Sequence, residues 1–183
     1  MARKRITETL EAALVVTPDL GITTDNMVTE WGGIPYAPLS AMLVHLKFLA
    51  QVHQNHHWTA KADPFYGDHL LFSRLYEAVT GEIDSVAEKA IGLGNSANVD
   101  LTLQTMQLMK LVQGYGSSGT IPVASELARR SYVAEMTFLK TVDSFVDMMR
   151  GSGQLTRGLD NLIAGIQDTH ESHIYLLKQR SLA

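Results

Sequence analysis

The sequence predicts an all-α protein in which four long helices are joined by two short hairpin connections and one long crossover carrying a short extra helix. Apolar residues recur at helical spacing through four long segments, and Gly/Ser-rich breaks separate them: Gly94 with Asn95-Ser96-Ala97-Asn98, the stretch from Gly114 to Gly119, and Gly151-Ser152-Gly153. The composition is that of an ordinary globular chain: of 183 residues, 45% are apolar and 19% charged, enough for one domain with a real core. There is no cysteine, which excludes a disulfide framework, a thiolate metal site and a thiol nucleophile, and fits a reducing compartment. No apolar run approaches the roughly 18 residues of a membrane span, and the start of the chain has no signal-peptide h-region. The expectation is a cytoplasmic protein.

Residues 1–37 read as an N-terminal tail and arm, and residues 38–183 as the helical domain. The tail carries a small basic cluster, Arg3, Lys4 and Arg5, then a short helix over Glu8–Val15 and turn signals at Pro18, Gly21, Asp25-Asn26 and Gly32-Gly33. Three cations contact only a few phosphates, and the chain's net charge of −4 works against nucleic acid. DNA binding at this cluster is therefore a secondary expectation beside a plain solvated terminus.

The first long helix should start near Pro38 or Leu39, with proline tolerated in the first turn, and run to Trp58. Leu39, Leu43, Leu46, Ala50, His53 and His57 make its core stripe. The second should span Tyr66–Leu93, ended by Gly94. Asp100 or Thr102 caps a short amphipathic helix to Val112, with Leu101, Leu108 and Val112 in one stripe and Met109 beside them. The next helix should run from Pro122 to Arg150, with Leu127, Met136, Leu139, Val142, Phe145, Val146 and Met149 inside. The last, from Gln154 to Lys178, is expected to bury Leu155, Leu159, Leu162, Ile166, His173 and Leu177.

The chemistry concentrates between His57 and Glu88. His57 ends the first helix and can fold back beside His69 across the turn at Asp63-Pro64. Asp84 and Glu88 are an i,i+4 pair on one helical face and can hold one ion together. A wheel of the second helix puts Phe72, Leu75, Tyr76, Val79, Ile83, Val86, Ala87 and Ala90 in an apolar arc, with Ser73, Glu77, Thr80, Asp84 and Glu88 in a strip on its flank. His69 and Asp84 are about 22 Å apart along a continuous helix, so no single ion touches both. Either the chain holds two half-sites, or a two-fold pairs the histidines of one subunit with the carboxylates of its mate. Taken alone, an i,i+4 Asp/Glu pair is usually only a solvated face.

The run His57-Trp58, Lys61, Phe65, His69, Tyr76, then Asp84-x-x-Ala87-Glu88-Lys89 resembles the Dps family, the ferritin-like mini-cages that protect DNA in stressed bacteria. The resemblance is strongest from His57 to Gly94 and looser over the rest of Leu39–Leu182. It implies a ferritin-like four-helix bundle assembled as a dodecamer of two-fold dimers. It also implies an intersubunit ferroxidase centre with His57 and His69 from one chain and Asp84 and Glu88 from the other. Fe(II) would be oxidised there, with hydrogen peroxide as the oxidant, and ferric iron stored in the shell. One departure stands out: Ser73 occupies a position where the family commonly has a carboxylate, and a hydroxyl is a poor Fe(II) ligand. Glu77, a turn further, is an extra candidate acting through water.

An alternative of the same fold is a cage whose centre is impaired by Ser73 and which acts mainly in DNA binding at the nucleoid or in metal sequestration. A third reading is a helical bundle without metal chemistry. His53 and His56 are expected to pack or hydrogen-bond. His170 and His173, an i,i+3 pair with Asp168 and Glu171 nearby, match no family ligand, and such clusters are common by chance.

Overall fold

The computed structural model describes residues 28, 30–61, 64–116 and 124–181. The basic cluster Arg3-Lys4-Arg5, the expected helix over Glu8–Val15 and the expected start at Pro122 lie outside them. All regular structure in the described residues is helical: α1 (Ala37–Thr59), α2 (Phe65–Leu93), a 3-10 turn (Ser96–Val99), α3 (Leu101–Tyr115), α4 (Ala124–Gly151) and α5 (Arg157–Ser181). Helix α1 packs against α2 and α4, α5 packs against α4 and α2, and α3 lies against α1. No helix among the described residues is long and apolar enough to cross a membrane.

The four long helices meet through positions spaced alternately three and four apart, the 3.5-residue repeat that keeps one seam of a helix facing its neighbours. In α1 these are Leu39, Met42, Leu46, Leu49, His53 and His56, and in α4 Ala128, Ser131, Glu135, Phe138, Val142, Phe145 and Met149, all buried. In α5 they are Leu159, Ile163, Ile166, His170, His173 and Leu177. In α2, Phe72, Leu75, Val79 and Val86 are buried, half-buried Glu82 fills the step between Val79 and Val86, and buried Ala90 ends the seam with a second step of four.

This seam is not apolar throughout. A large cluster holds Leu46, Leu49, Val52, Val79, Phe138 and Ile166; a smaller one holds Phe72, Leu75, Leu127, Ala128 and Leu177. Between them in every helix come the polar residues His53, Glu82, Ser131, Glu135, His170 and His173. The core is thus two hydrophobic blocks divided by a polar layer.

Local chemistry sets the ends. Asp100 Oδ1 accepts from Leu103 N at 2.8 Å and starts α3, a cap worth about 1 kcal/mol. Thr156 Oγ1 accepts from Leu159 N at 3.1 Å. It therefore starts α5 at Arg157 rather than at Gln154, whose Oε1 instead accepts from Tyr36 N at 3.3 Å. Gly32 and Gly33 both take left-handed backbone, at φ 60 and 79, as turn glycines do. Just before them Trp31 is only 1% exposed and joins the main core, so the end of the arm is part of the packed domain.

Several inner faces differ from expectation. Leu162 and Leu155 are half-buried, while Ile163 and His170 take the seam of α5. In α4, Met136, Leu139 and Val146 are half-buried, and Ser131, Glu135 and Phe138 lie inside. Helix α3 is partly inverted: Gln104, Gln107 and Leu111 are buried and Leu103 and Leu108 pack half-buried against the core, while Leu101 is 74% exposed and Met106, Met109 and Val112 are also exposed. The two glutamines face inward because polar partners await them, Lys47 for Gln104 Oε1 and Glu30 Oε2, at 3.4 Å, for Gln107 Nε2.

Candidate functional site

His57 lies in the last turn of α1 and His69 in the second turn of α2, and the short connection between them folds one ring onto the other. Their centroids are 3.7 Å apart with planes 24° from parallel. His57 Nδ1 is 2.9 Å from the His69 carbonyl, and His69 Nδ1 is 3.1 Å from the His57 carbonyl. Each Nδ1–H therefore donates to a backbone oxygen; the His57 carbonyl is free to accept because its helix is ending. That fixes the tautomer and leaves the lone pair on Nε2. Neither Nε2 has a hydrogen-bond partner among the described residues. Phe65 stacks on His69 at 5.1 Å and Tyr76 presents its edge to His57 at 5.4 Å, which holds both rings in place. His57 is half-buried at the rim rather than in the core seam.

Asp84 and Glu88 sit one turn apart on α2, both exposed, in the same strip as exposed Glu77 and half-buried Ser73. Ser73 Oγ–H donates to Glu77 Oε1 at 2.8 Å. Helix α2 is unbroken from Phe65 to Leu93, so His69 and Asp84 are about 22 Å apart along its axis. The fold brings His57 to His69 and Asp84 to Glu88, and within one chain it does not bring the two pairs together.

The polar layer in the core is a second constellation. Glu135, fully buried, accepts from His53 Nε2 at 2.7 Å and from His173 Nδ1 at 3.2 Å through Oε1, and from His170 Nδ1 through Oε2. His170 Nε2 in turn lies 2.8 Å from Glu82 Oε2. Ser131 Oγ is 3.2 Å from His53 Nδ1 and 2.7 Å from His56 Nδ1. Tyr115 Oη is 3.4 Å from His56 Nε2. One ligand atom from each of Glu135, His170 and His173 lies within 4.8 Å of the other two. Phe138 covers His170 at 4.4 Å on one side, and Phe72 meets His56 edge-on at 5.3 Å on the other.

Burial alone would push the Glu135 carboxyl up, but His170, His173 and His53 together outweigh it and hold the group well below the ordinary carboxylate range. Burial likewise works against a charged His170, yet Glu135 and Glu82 on its two nitrogens raise it to about 9. His170 is thus a cation clasped between two carboxylates. Burial keeps His53 neutral and, with His53 and Arg130 nearby, lowers His56 to about 3. Donor roles then follow by elimination. His53 donates from Nε2 to the carboxylate, so its Nδ1 accepts from Ser131 Oγ–H. Ser131 accepts from His56 Nδ1–H, and His56 Nε2 accepts from the Tyr115 hydroxyl, whose ionisation burial pushes up. Every donor in this chain points towards Glu135.

His53 and His56 are hydrogen-bonding residues, as expected. For His170 and His173 the sequence neighbours mislead: Asp168 and Glu171 are exposed, and the real partners, Glu82 and Glu135, come from α2 and α4. Glu135 was missed altogether. The signal that could have found it is a glutamate on the three-four repeat of an otherwise core-facing seam.

Scanned against protein-family models and searched against curated proteins, the chain matches none.

Proposed function

We propose that the chain is a Dps-like ferroxidase with a ferritin-like four-helix bundle, and that its site forms between two subunits. Fe(II) is the substrate. One observation carries the reading: both rim imidazoles have Nδ1 committed to a backbone carbonyl and Nε2 left as a lone pair, which is the state a ligating histidine requires. The carboxylates that would complete the site, Asp84 and Glu88, come from a second copy, because on the same chain they are too far away.

Two further features support assembly. Exposed apolar side chains collect where a second copy would pack: Trp58 (67% exposed), Tyr66 and Leu70 around the histidines, and Leu101, Met109 and Val112 on the inverted face of α3. A helix that turns Gln104 and Gln107 inward while leaving Leu101, Met106, Met109 and Val112 outside fits a role as an interface element.

The ligands explain the chemistry. Two neutral imidazoles and two carboxylates bind Fe(II), and the carboxylates favour the more highly charged Fe(III), so electron loss becomes easier. With hydrogen peroxide as oxidant, two Fe(II) each give up one electron, the O–O bond breaks, and two protons complete two waters without releasing a radical. Ser73 contributes no charge itself, but its hydrogen bond to Glu77 anchors a carboxylate in the same strip. Ferric product would be stored within a dodecameric shell.

The test is anaerobic Fe(II) titration of the assembled protein followed by a peroxide pulse, in wild type, His69→Ala and Asp84→Ala. Saturable binding and fast oxidation in wild type, lost in both variants, support the reading. Oxidation in Asp84→Ala as fast as in wild type would overturn it.

A further inference from the structure

We propose that Glu135, His170 and His173 form a second metal site in the middle of the core, taking one divalent first-row transition ion of the imidazole- and carboxylate-binding kind, such as Fe(II), Co(II) or Zn(II). It is independent of the rim histidines and of any second copy, since every ligand comes from α4 and α5 of one chain.

The three donors converge. One oxygen and two nitrogens, all on buried residues, lie within 4.8 Å of one another, so an inward shift of a few tenths of an ångström brings them within the roughly 4.4 Å that donors bonded to one ion at about 2.0–2.2 Å can span. Two histidines and one carboxylate are a donor set that such ions accept.

Neighbouring groups orient them. Ligating histidines characteristically spend their other ring nitrogen on a carboxylate or a carbonyl, and His170 Nε2 lies 2.8 Å from Glu82 Oε2, which directs Nδ1 at the site. His53 steadies the Glu135 carboxylate at 2.7 Å and is itself set by Ser131, His56 and Tyr115. These residues do for the site what the backbone carbonyls do for His57 and His69.

The nitrogens also outnumber what charge balance needs. Neutralising one buried glutamate takes one cation, yet Glu135 faces three imidazoles, and a further carboxylate, Glu82, waits behind one of them. A plain core ion pair has no use for the surplus nitrogens, because buried charge is costly and an apolar layer would serve stability as well. The same atoms hydrogen-bond to one another through Nδ1 protons; an ion would take the place of those contacts, with the Nδ1 proton of His170 released to solvent and that of His173 released or moved to its Nε2.

The experiment uses the full chain carrying His69→Ala and Asp84→Ala, so that the rim site contributes nothing, titrated anaerobically with Co(II) alone. The expected result is saturable uptake of one Co(II) per chain, with visible ligand-field bands and a raised melting temperature. Adding His173→Gln or Glu135→Gln should abolish the bands. Glu82→Gln, which touches no ion, should weaken uptake about 10- to 100-fold while keeping the stoichiometry. Circular dichroism establishes that each variant is folded, and if Glu135→Gln fails to fold, His173→Gln decides alone. No saturable uptake, or uptake unchanged in folded His173→Gln, would show a hydrogen-bond network only and overturn the proposal. Neither result depends on whether the rim site oxidises iron.

Discussion

Arg180 holds Asp68 in a two-pronged ion pair, Nε 2.5 Å from Oδ1 and Nη2 3.1 Å from Oδ2, joining the last turn of α5 to the first turn of α2. Asp68 is 1% exposed and immediately precedes His69, so the clamp fixes the turn that carries the rim histidine. Arg180→Ala leaves a buried carboxylate uncompensated and should cost about 3 kcal/mol. Removing both charges, with Asp68→Leu added, should recover part of that loss. Thermal melts of the two variants check this: a double variant no better than Arg180→Ala would mean the ion pair is not the source of the loss.

Subunit mixing separates a shared site from two half-sites. Chains carrying His57→Ala and His69→Ala, dissociated and reassembled with chains carrying Asp84→Ala and Glu88→Ala, form mixed dimers in which one of the two sites regains all its ligands. Random pairing restores about a quarter of wild-type sites. Peroxide-driven Fe(II) oxidation should therefore reappear at about that level although each parent is inactive. If the mixture stays inactive despite verified co-assembly, the halves do not meet.

Acid should destabilise the fold through His45. This residue is buried against Phe145 and its Nδ1–H points to the Ala41 carbonyl at 3.1 Å; burial lowers it from 6.5 to about 4. In the unfolded chain it takes up a proton near pH 6.5, and in the folded protein only near 4. The unfolded state therefore binds more protons in this window, and stability falls as pH falls through it. At about 1.4 kcal/mol per pH unit of displacement the loss approaches roughly 3 kcal/mol. His45→Phe keeps the ring contact and should flatten that part of the stability–pH curve. Parallel curves for wild type and variant between pH 6.5 and 4 would remove His45 as the cause.

Two glycines near the end of α2 should respond oppositely to alanine. A Cβ on Gly94 would collide with Asn98 Oδ1 and lie 2.9 Å from the Ala90 and Pro35 carbonyls, whereas one on Gly92 meets nothing within 4 Å. Asn98 cannot yield easily, because its Nδ2 donates to the Pro35 carbonyl at 2.9 Å and to Ser40 Oγ at 3.0 Å. Gly94→Ala should thus lower the melting temperature. Gly92→Ala, on an exposed helical position, should raise stability by about 0.5–1 kcal/mol. A shift of the same sign in both would refute the packing argument.

The sequence was most legible where the signal is local. Apolar periodicity and the stops at Gly94 and Gly151-Ser152-Gly153 placed the long helices to within a few residues. The flank strip from Ser73 to Glu88, the fold-back of His57 onto His69 and the Asp100 cap were also readable, since each depends on residues a few turns apart. The core cluster was not. Its members come from four helices, Glu82 and His170 are 88 residues apart, and nothing in the chain announces that separation as contact. The i,i+3 spacing of His170 and His173 was visible, but the nearby Asp168 and Glu171 drew attention to the wrong carboxylates. The inverted face of α3 escaped for a related reason: helical periodicity shows which side is apolar, and only packing decides whether that side faces the chain's own core or another molecule.

In the proposed assembly, that outward apolar face would make folding a matter of mass action. A lone chain must leave Leu101, Met109 and Val112 in water while Gln104 and Gln107 occupy interior places. Part of the hydrophobic stabilisation is then realised only when copies meet, and the midpoint of thermal unfolding should climb with protein concentration, as it does for proteins whose subunits complete one another. Dilution would act on this protein as a denaturant.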